Sequence, residues 1–328
     1  MRDSVAKGRK VLDRTQDCPN LDRGAICRTD THHLTPAMTI FNLGSINIDL
    51  IYRVSHFPAP GETLTTRDHE RMLGGKGANQ SIALARAGGD VRHIGATNAE
   101  DEWLRAEMRD AGVDIGGVQD SSLATGHAVV SVSDDGENQI LLYPGTNHDI
   151  DLQAAIAQLD TAGEGDWALL QNETNGADEF FAAARARGMK LAYSAAPFDA
   201  AITARLLPET DLLVVNEVEA AALSDMLGAP AKEAGIPHLV VTRGGDGADY
   251  DGIAGNFHVP AFSVTPIDTT GAGDCFFGYL LAAMAADRPM DQAMAEAAAA
   301  AAIQVTRPGA AAAIPGRAEM NEYLAANQ

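Results

Sequence analysis

Ile267-Asp268-Thr269-Thr270-Gly271-Ala272-Gly273-Asp274-Cys275-Phe276-Phe277-Gly278 decides how this chain is read. The stretch follows a β-like run at 261–264. It opens a predicted helix whose apolar stripe is Phe276, Leu280 and Met284, flanked by Phe277 and Leu281. Small residues at a helix N-terminus leave backbone N–H groups free, and the helix dipole adds partial positive charge there. An acid in a first helical turn is ordinarily a cap or a dipole partner. Here Asp274 stands beside an anion cradle formed by the N–H groups of Gly271, Ala272 and Gly273. A carboxylate next to a phosphate-sized anion site suits phosphoryl transfer to an alcohol. The base takes the hydroxyl proton while the N–H groups hold the charge on the transferring group.

A second glycine cluster lies far upstream. Gly74-Gly75-Lys76-Gly77-Ala78-Asn79-Gln80 leads into an Ala- and Leu-rich helix that stops at Gly88-Gly89, as a helix C-terminus should. Before it stands Asn42-Leu43-Gly44-Ser45-Ile46-Asn47-Ile48-Asp49. With the motif around Asp274, these stretches make the chain resemble the ribokinase branch of the PfkB carbohydrate kinase family, from about residue 39 to about residue 315.

That resemblance implies an ATP-dependent sugar kinase with Asp274 as general base. The first-choice acceptor is D-ribose, giving ribose 5-phosphate. A kinase of the same family acting on a nucleoside, fructose or a 2-keto-3-deoxy sugar acid is the alternative. A non-catalytic sugar or nucleotide sensor on the same scaffold is the reading from a different class. Asn47 and Asp49 are then assigned to vicinal sugar hydroxyls, with Gly75, Lys76 and Asn79 opposite and Glu173 on a further hydroxyl.

Asn216-Glu217-Val218-Glu219 matches the family's Asn-x-x-Glu motif and places Asn216 and Glu219 near a Mg²⁺–phosphate assembly, acting through water. Taken alone, an acid-rich helix start has a purely electrostatic explanation. Thr242-Arg243-Gly244-Gly245-Asp246-Gly247 is assigned to the nucleotide, with Thr242, Gly244 and Gly247 nearest the phosphates and ribose. A glycine-rich β-turn is the plain alternative. Ala298 stands near adenine where such kinases often carry a polar side chain. A potassium site is implied at Asp268, Thr270, Gln304, Arg307 and Gly309. Ala313 replaces the usual serine ligand there, and Pro308 a basic residue.

Composition agrees with a large α/β enzyme. The 328 residues carry a formal net charge of −21, with 46% hydrophobic and 5% aromatic residues. Such acidity argues against nucleic acid or an anionic membrane as a partner, and no apolar run approaches the roughly 18 residues of a span. Cys18, Cys27 and Cys275 do not suggest a disulfide framework, which points to a reducing cytoplasm. Neither a Gly-x-x-x-x-Gly-Lys-[Ser/Thr] phosphate loop nor a dinucleotide fingerprint is present, and no His/Cys spacing suggests zinc.

Residues 1–37 are polar, aperiodic and lack a secretory h-region, so they are expected to be a disordered extension before a kinase domain at 38–328. Within that domain, apolar strands are expected at 39–44, 91–95, 167–171, 190–193, 211–215 and 238–242. Helices are expected at 78–87, 102–111, 178–187, 218–227, 274–286 and 290–305. The alternation predicts a three-layer, mostly parallel sheet with helices on both faces. Two segments break it, 50–56 with 63–73 and 127–132 with 139–143, and read as antiparallel hairpins. By resemblance they form a small β lid over the sugar, and two lids clasp into a homodimer.

Overall fold

The computed structural model describes residues 38–327. The expected extension at 1–37, with Cys18, Cys27 and the His32-His33 pair, lies outside the described residues. The chain runs β1 (Thr39–Leu43), β2 (Asn47–Arg53), β3 (Asp68–Gly74), α1 (Lys76–Arg86), β4 (Asp90–Asn98), α2 (Glu102–Asp110) and β5 (Asp114–Ser121). Next come β6 (Gly126–Val132), β7 (Asn138–Tyr143), α3 (Leu152–Ala157), β8 (Trp167–Leu170), α4 (Ala177–Arg185), β9 (Lys190–Ser194) and α5 (Ala200–Leu206). The last third holds β10 (Leu212–Asn216), α6 (Glu217–Leu227), β11 (His238–Thr242), β12 (Ala248–Gly252), β13 (Gly255–Val259), α7 (Ala272–Ala285), α8 (Met290–Gln304) and α9 (Arg317–Ala326).

Nine strands form the main sheet in the order β13-β12-β11-β10-β9-β8-β1-β4-β5. It is parallel except for β12 and β13, which turn back along one edge. Its inner strands are continuous apolar runs because both faces are covered. Trp167-Ala168-Leu169-Leu170 is buried throughout, as is Leu212-Leu213-Val214-Val215. Alternate residues feed separate cores. Ile40, Leu169 and Leu212 pack with α1, α7 and α8, while Phe41, Leu170 and Leu213 pack with α4 and α6.

The expected parallel strands and long helices are present, with shifts at their ends. The β-like run at 261–264 is not a strand; pairing stops at Val259. Pro260 lacks the N–H a ladder needs, and Phe262 instead meets the Tyr323 ring edge-on at 5.4 Å.

The two hairpins form a separate four-stranded sheet, β3-β2-β6-β7. Each hairpin is antiparallel, and their inner strands β2 and β6 join in parallel, Asn47 opposite Gly126. Strand β2 starts at Asn47, four positions after β1 ends at Leu43, so the sheets share the short connector Gly44-Ser45-Ile46.

Helix α7 is buried at every position from Asp274 to Ala285, so it is a central rather than an amphipathic helix. Its approach to α1 is limited by Gly278: a Cβ there would lie 2.4 Å from Ala83 Cβ and 3.0 Å from the Gln80 carbonyl oxygen. The N-termini of α1 and α7 thereby meet beside the carboxyl ends of the strands.

Candidate active site

The chain leaves β1 toward β4 on one side and reaches β8 on the other, so the order of the sheet reverses between β1 and β8. Ligands of open α/β sheets bind outside the carboxyl ends of strands at such a switch point. Ser45, just after β1, hydrogen-bonds the Glu173 carboxylate, which follows β8. The same Glu173 oxygen accepts the Lys76 N–H at 3.1 Å. Ser45 also caps α1, its Oγ accepting from the Gly77 N–H at 3.2 Å and its carbonyl from Ala78 at 2.9 Å. Two expected residues, Glu173 and Lys76, thus meet beside one serine.

From the other side comes Asp274 in the first turn of α7. The helix is entered through Gly271, whose φ of +74° belongs to the left-handed region. A side chain there would also lie 3.0 Å from Ala310 Cβ. The Asp274 carboxylate is buried and accepts from Asn79 Nδ2 at 3.1 Å and Gln80 Nε2 at 2.9 Å. Gly273 is exposed, and no protein atom lies within 4 Å of where its Cβ would stand. That space fits the anion expected beside it. Of the three expected N–H donors, Ala272 already gives its own to the Thr269 carbonyl at 3.2 Å. Of the expected cradle, Gly271 and Gly273 then remain as donors.

Electrostatics tie the two sides together. The Asp274 carboxylate, helped by Glu173 and Glu219, holds the Lys76 ammonium above its ordinary value against the opposing pull of burial. Burial pushes Glu173 up, and Lys76 with the Ser45 hydroxyl and the Lys76 N–H opposes it. Burial likewise raises Glu219, against the Asn216 N–H and Lys76. One ammonium thus stands among three carboxylates.

Asp49 and Asn47 project from β2. Burial, with Glu173 nearby, raises Asp49 to about 6. A side chain at Gly74 in the paired strand would displace the Asp49 carboxylate, since a Cβ there would sit 2.1 Å from one of its oxygens. Asn47 Oδ1 accepts from Asn147 Nδ2 at 2.7 Å, and Asn147 Oδ1 accepts the Ile46 N–H at 2.9 Å. Asn79 Oδ1 is buried with no partner, a free acceptor beside these groups.

At the end expected to take the nucleotide, Asn216 and Thr242 face each other across the last register of β10 and β11. Asn216 and Glu219 form a reciprocal capping box: Asn216 Oδ1 accepts the Glu219 N–H at 2.9 Å and Glu219 Oε2 the Asn216 N–H at 2.8 Å. The cap engages Oε2 of Glu219 and leaves Oε1, so capping and a role toward hydrated Mg²⁺ are compatible. Among the described residues no three His, Cys, Asp or Glu side chains gather in the manner of a metal site.

Open space surrounds Gly244 and Gly245, while a Cβ on Gly247 would lie 2.1 Å from the Val259 carbonyl. Arg243 is occupied by Glu217 and Asp249, each at 2.6 Å, which fixes this loop. Ala298 is buried in α8 within the apolar core. A separate groove of about 530 Å³ between α6 and the β11–β13 edge, lined by Ala220, Leu239, Val241 and Phe257, contains none of the expected site residues.

Around the implied potassium site, both Asp268 oxygens accept N–H groups, of Thr270 and Gly309, each at 2.9 Å. The Thr270 carbonyl accepts from Gln304 Nε2 at 3.0 Å, and that amide also reaches the Ala310 carbonyl at 3.3 Å. Gln304 Oε1 is buried without a partner. Arg307 is paired with Glu319.

Several residues joined to this site carried no assignment from sequence: Gln80, Gln171 and Asn147. Gln80 lay inside the glycine-rich stretch. Asn147 and Gln171 have no local pattern that marks them.

Comparison with known proteins agrees with this geometry. The profile of the pfkB family carbohydrate kinases matches residues 39–317. This chain belongs to that family. It is 32% identical to the ribokinase of Haemophilus influenzae over 301 residues, covering 87% of this chain and 98% of the relative. The crystal structure of ribokinase from Thermotoga maritima superposes with a TM-score of 0.78 at 29% identity, covering 88% of this chain and 99% of that one. The ribokinase of Arabidopsis thaliana, complexed with ribose and ATP, gives 0.77 at 25% identity, covering 88% and 99%. The fold class and the assignment as a carbohydrate kinase stand as expected. No helix among the described residues is long and apolar enough to cross a membrane.

On the expected sugar role of Asp49, its raised carboxyl predicts a pH dependence for this carbohydrate kinase. As pH falls through about 6 the group gains a proton and loses an acceptor. Sugar KM is expected to rise below that pH with a smaller change in kcat. Asp49→Asn should weaken sugar binding and flatten the profile, as read from initial rates between about pH 5 and about pH 8, roughly one unit below and two above that value.

Proposed function

We propose that the chain transfers the γ-phosphoryl group of ATP to the primary hydroxyl of a pentose, D-ribose first, giving ribose 5-phosphate and ADP. The observation that carries the reading is the convergence of the Asp274 carboxylate, the open space at Gly273 and the polar wall of Asn79, Asp49 and Glu173. Asp274 accepts the hydroxyl proton as the alcohol attacks in line. The Gly271 and Gly273 N–H groups with the helix dipole meet the charge on the transferring group. Asn47, Asp49, Lys76, Asn79 and Glu173 orient the sugar, with Gly75 giving its backbone room at the start of α1. Thr242, Gly244, Gly247 and Asn216 hold the nucleotide, and Ala298 lies toward adenine. ATP and ribose are the ligands named for the Arabidopsis relative, which supports this choice over a nucleoside, fructose or a 2-keto-3-deoxy sugar acid.

Mg²⁺ would be held mainly by the phosphates and water, with Glu219 reaching it through water. When bound it supplies charge neutralisation on the phosphates. A panel of pentoses, hexoses and nucleosides with Mg-ATP, read by ADP release, tests the assignment. Ribose is expected to give the highest kcat/KM; binding of sugar with no ADP release would support the sensor reading instead. Asp274→Asn should keep fold and ligand binding while losing about 10²- to 10⁴-fold in kcat.

Potassium is a further part of this proposal. Asp268 and the carbonyls of Thr270, Gln304, Arg307 and Gly309 are the candidate ligands. The partnerless Gln304 Oε1 fits a cation if the amide is turned, since its two ends are alike in shape. KCl is then expected to raise both Tm and kcat relative to equal NaCl; equal Tm and equal rates in the two salts would remove the site.

The lid also supplies the proposed homodimer contact. Ile140, Leu141, Leu142 and Tyr143 are 55, 68, 52 and 44% exposed along the edge strand β7, a run that edge strands normally avoid. A dimer is expected by light scattering, and Leu141→Lys should shift it to monomer; a monomeric wild-type protein at micromolar concentration would refute this.

A further inference from the structure

We propose that a buried string of side chains running from His93 to Gln80 holds the Asp274 carboxylate as a proton acceptor, with Gln171 the positioning residue that sets the string's direction. The inference rests on Asp274 as the base. Its members come from four places in the sheet and its cover: Asn42 on β1, Gln80 and Ser81 on α1, His93 on β4 and Gln171 directly after β8. All five are essentially inaccessible to solvent.

The direction of each hydrogen bond follows from its neighbour. The Gly44 carbonyl can only accept, so His93 Nε2, 3.1 Å away, carries the proton. His93 Nδ1 is then an acceptor for the Ser81 hydroxyl at 2.8 Å. Burial pushes His93 down to about 4, which keeps this neutral tautomer through the working range of pH. Ser81 Oγ in turn accepts from Asn42 Nδ2 at 2.8 Å, and the second Asn42 hydrogen goes to the Gly77 carbonyl at 2.9 Å. Asn42 therefore presents Oδ1 to Gln171. Gln171 Nε2 donates to that oxygen at 3.0 Å and to Gln80 Oε1 at 2.7 Å. With its oxygen turned to Gln171, Gln80 must point Nε2 at Asp274 Oδ1, 2.9 Å away.

A reversed Gln80 would set an amide oxygen against a carboxylate oxygen, tolerable only with a proton between them. The string thus selects the ionised, acceptor form of Asp274, while Asn79 Nδ2 does the same at Oδ2. Packing does not explain the amide at 171. Its Oε1 is buried without a partner; a methionine of similar volume would fill the place and remove that orphan, but would take the donor away from Asn42 Oδ1 and Gln80 Oε1. The arrangement makes chemical sense as orientation control, since a buried polar network specifies geometry where every member is constrained.

Steady-state kinetics on the purified full chain test this. Gln171→Met, Gln80→Met, the double variant and Asp274→Asn are compared at saturating ribose and Mg-ATP. Gln171→Met and Gln80→Met are each expected to lower kcat by roughly 10- to 100-fold with both KM values within about twofold. The double variant should be no slower than Gln80→Met alone, because the two act through one contact. A kcat within about twofold of wild type in either folded variant, or losses that multiply in the double, overturns the proposal. If Gln171→Met does not fold, Gln80→Met alone decides by the same criteria. Near-normal turnover in Asp274→Asn would instead overturn the base assignment beneath it.

Discussion

Two amide–carboxylate hydrogen bonds, from Asn79 and Gln80 to Asp274, hold the start of α7 against the start of α1. Each partner is fixed from elsewhere. Asp274 is placed by the left-handed entry at Gly271, and Asn79 and Gln80 by the Ser45 cap on α1. The absent side chain of Gly278 lets the helices come close enough for the contact. Loosening this joint would separate the proposed base from the proposed sugar-facing wall and displace the Gly273 N–H from the same point in space. The proposed sugar pocket and anion cradle both depend on one helix–helix contact.

Much of the architecture was legible because burial on both faces writes parallel strands as continuous apolar runs, as in 167–170 and 212–215. The failure at 261–264 has the same physics behind it. Phe262 is apolar because it packs against Tyr323, and apolar packing resembles a strand until Pro260 and the missing ladder are seen. The parallel join between β2 and β6 was hidden, since a hairpin signal is local and the pairing spans roughly eighty residues of chain.

The site divides in a similar way. Gly271, Gly273, Lys76 and Asn79 sit in glycine-punctuated helix starts, where small residues and acids have a local physical meaning. Asn147, Gln171 and His93 act only through contacts about 130 positions apart or less, and nothing beside them in sequence marks such a meeting. At Asn216 and Glu219 the capping role and the proposed role toward the phosphates fall on the same side chains. Fold position, not residue type, separates these uses. The open space at Gly273 similarly acquires meaning only once Asp274 is placed beside it.

The lone ammonium of Lys76 among Asp274, Glu173 and Glu219 has a consequence for how a polyanion arrives. The whole chain carries −21, so a nucleotide reaching the proposed site is expected to meet net repulsion until backbone dipoles take over at contact. Dissolved ions shorten the reach of that barrier to about 8 Å at physiological strength. Encounter is then expected to quicken with added electrolyte, the reverse of the behaviour of enzymes whose fields draw their substrates in.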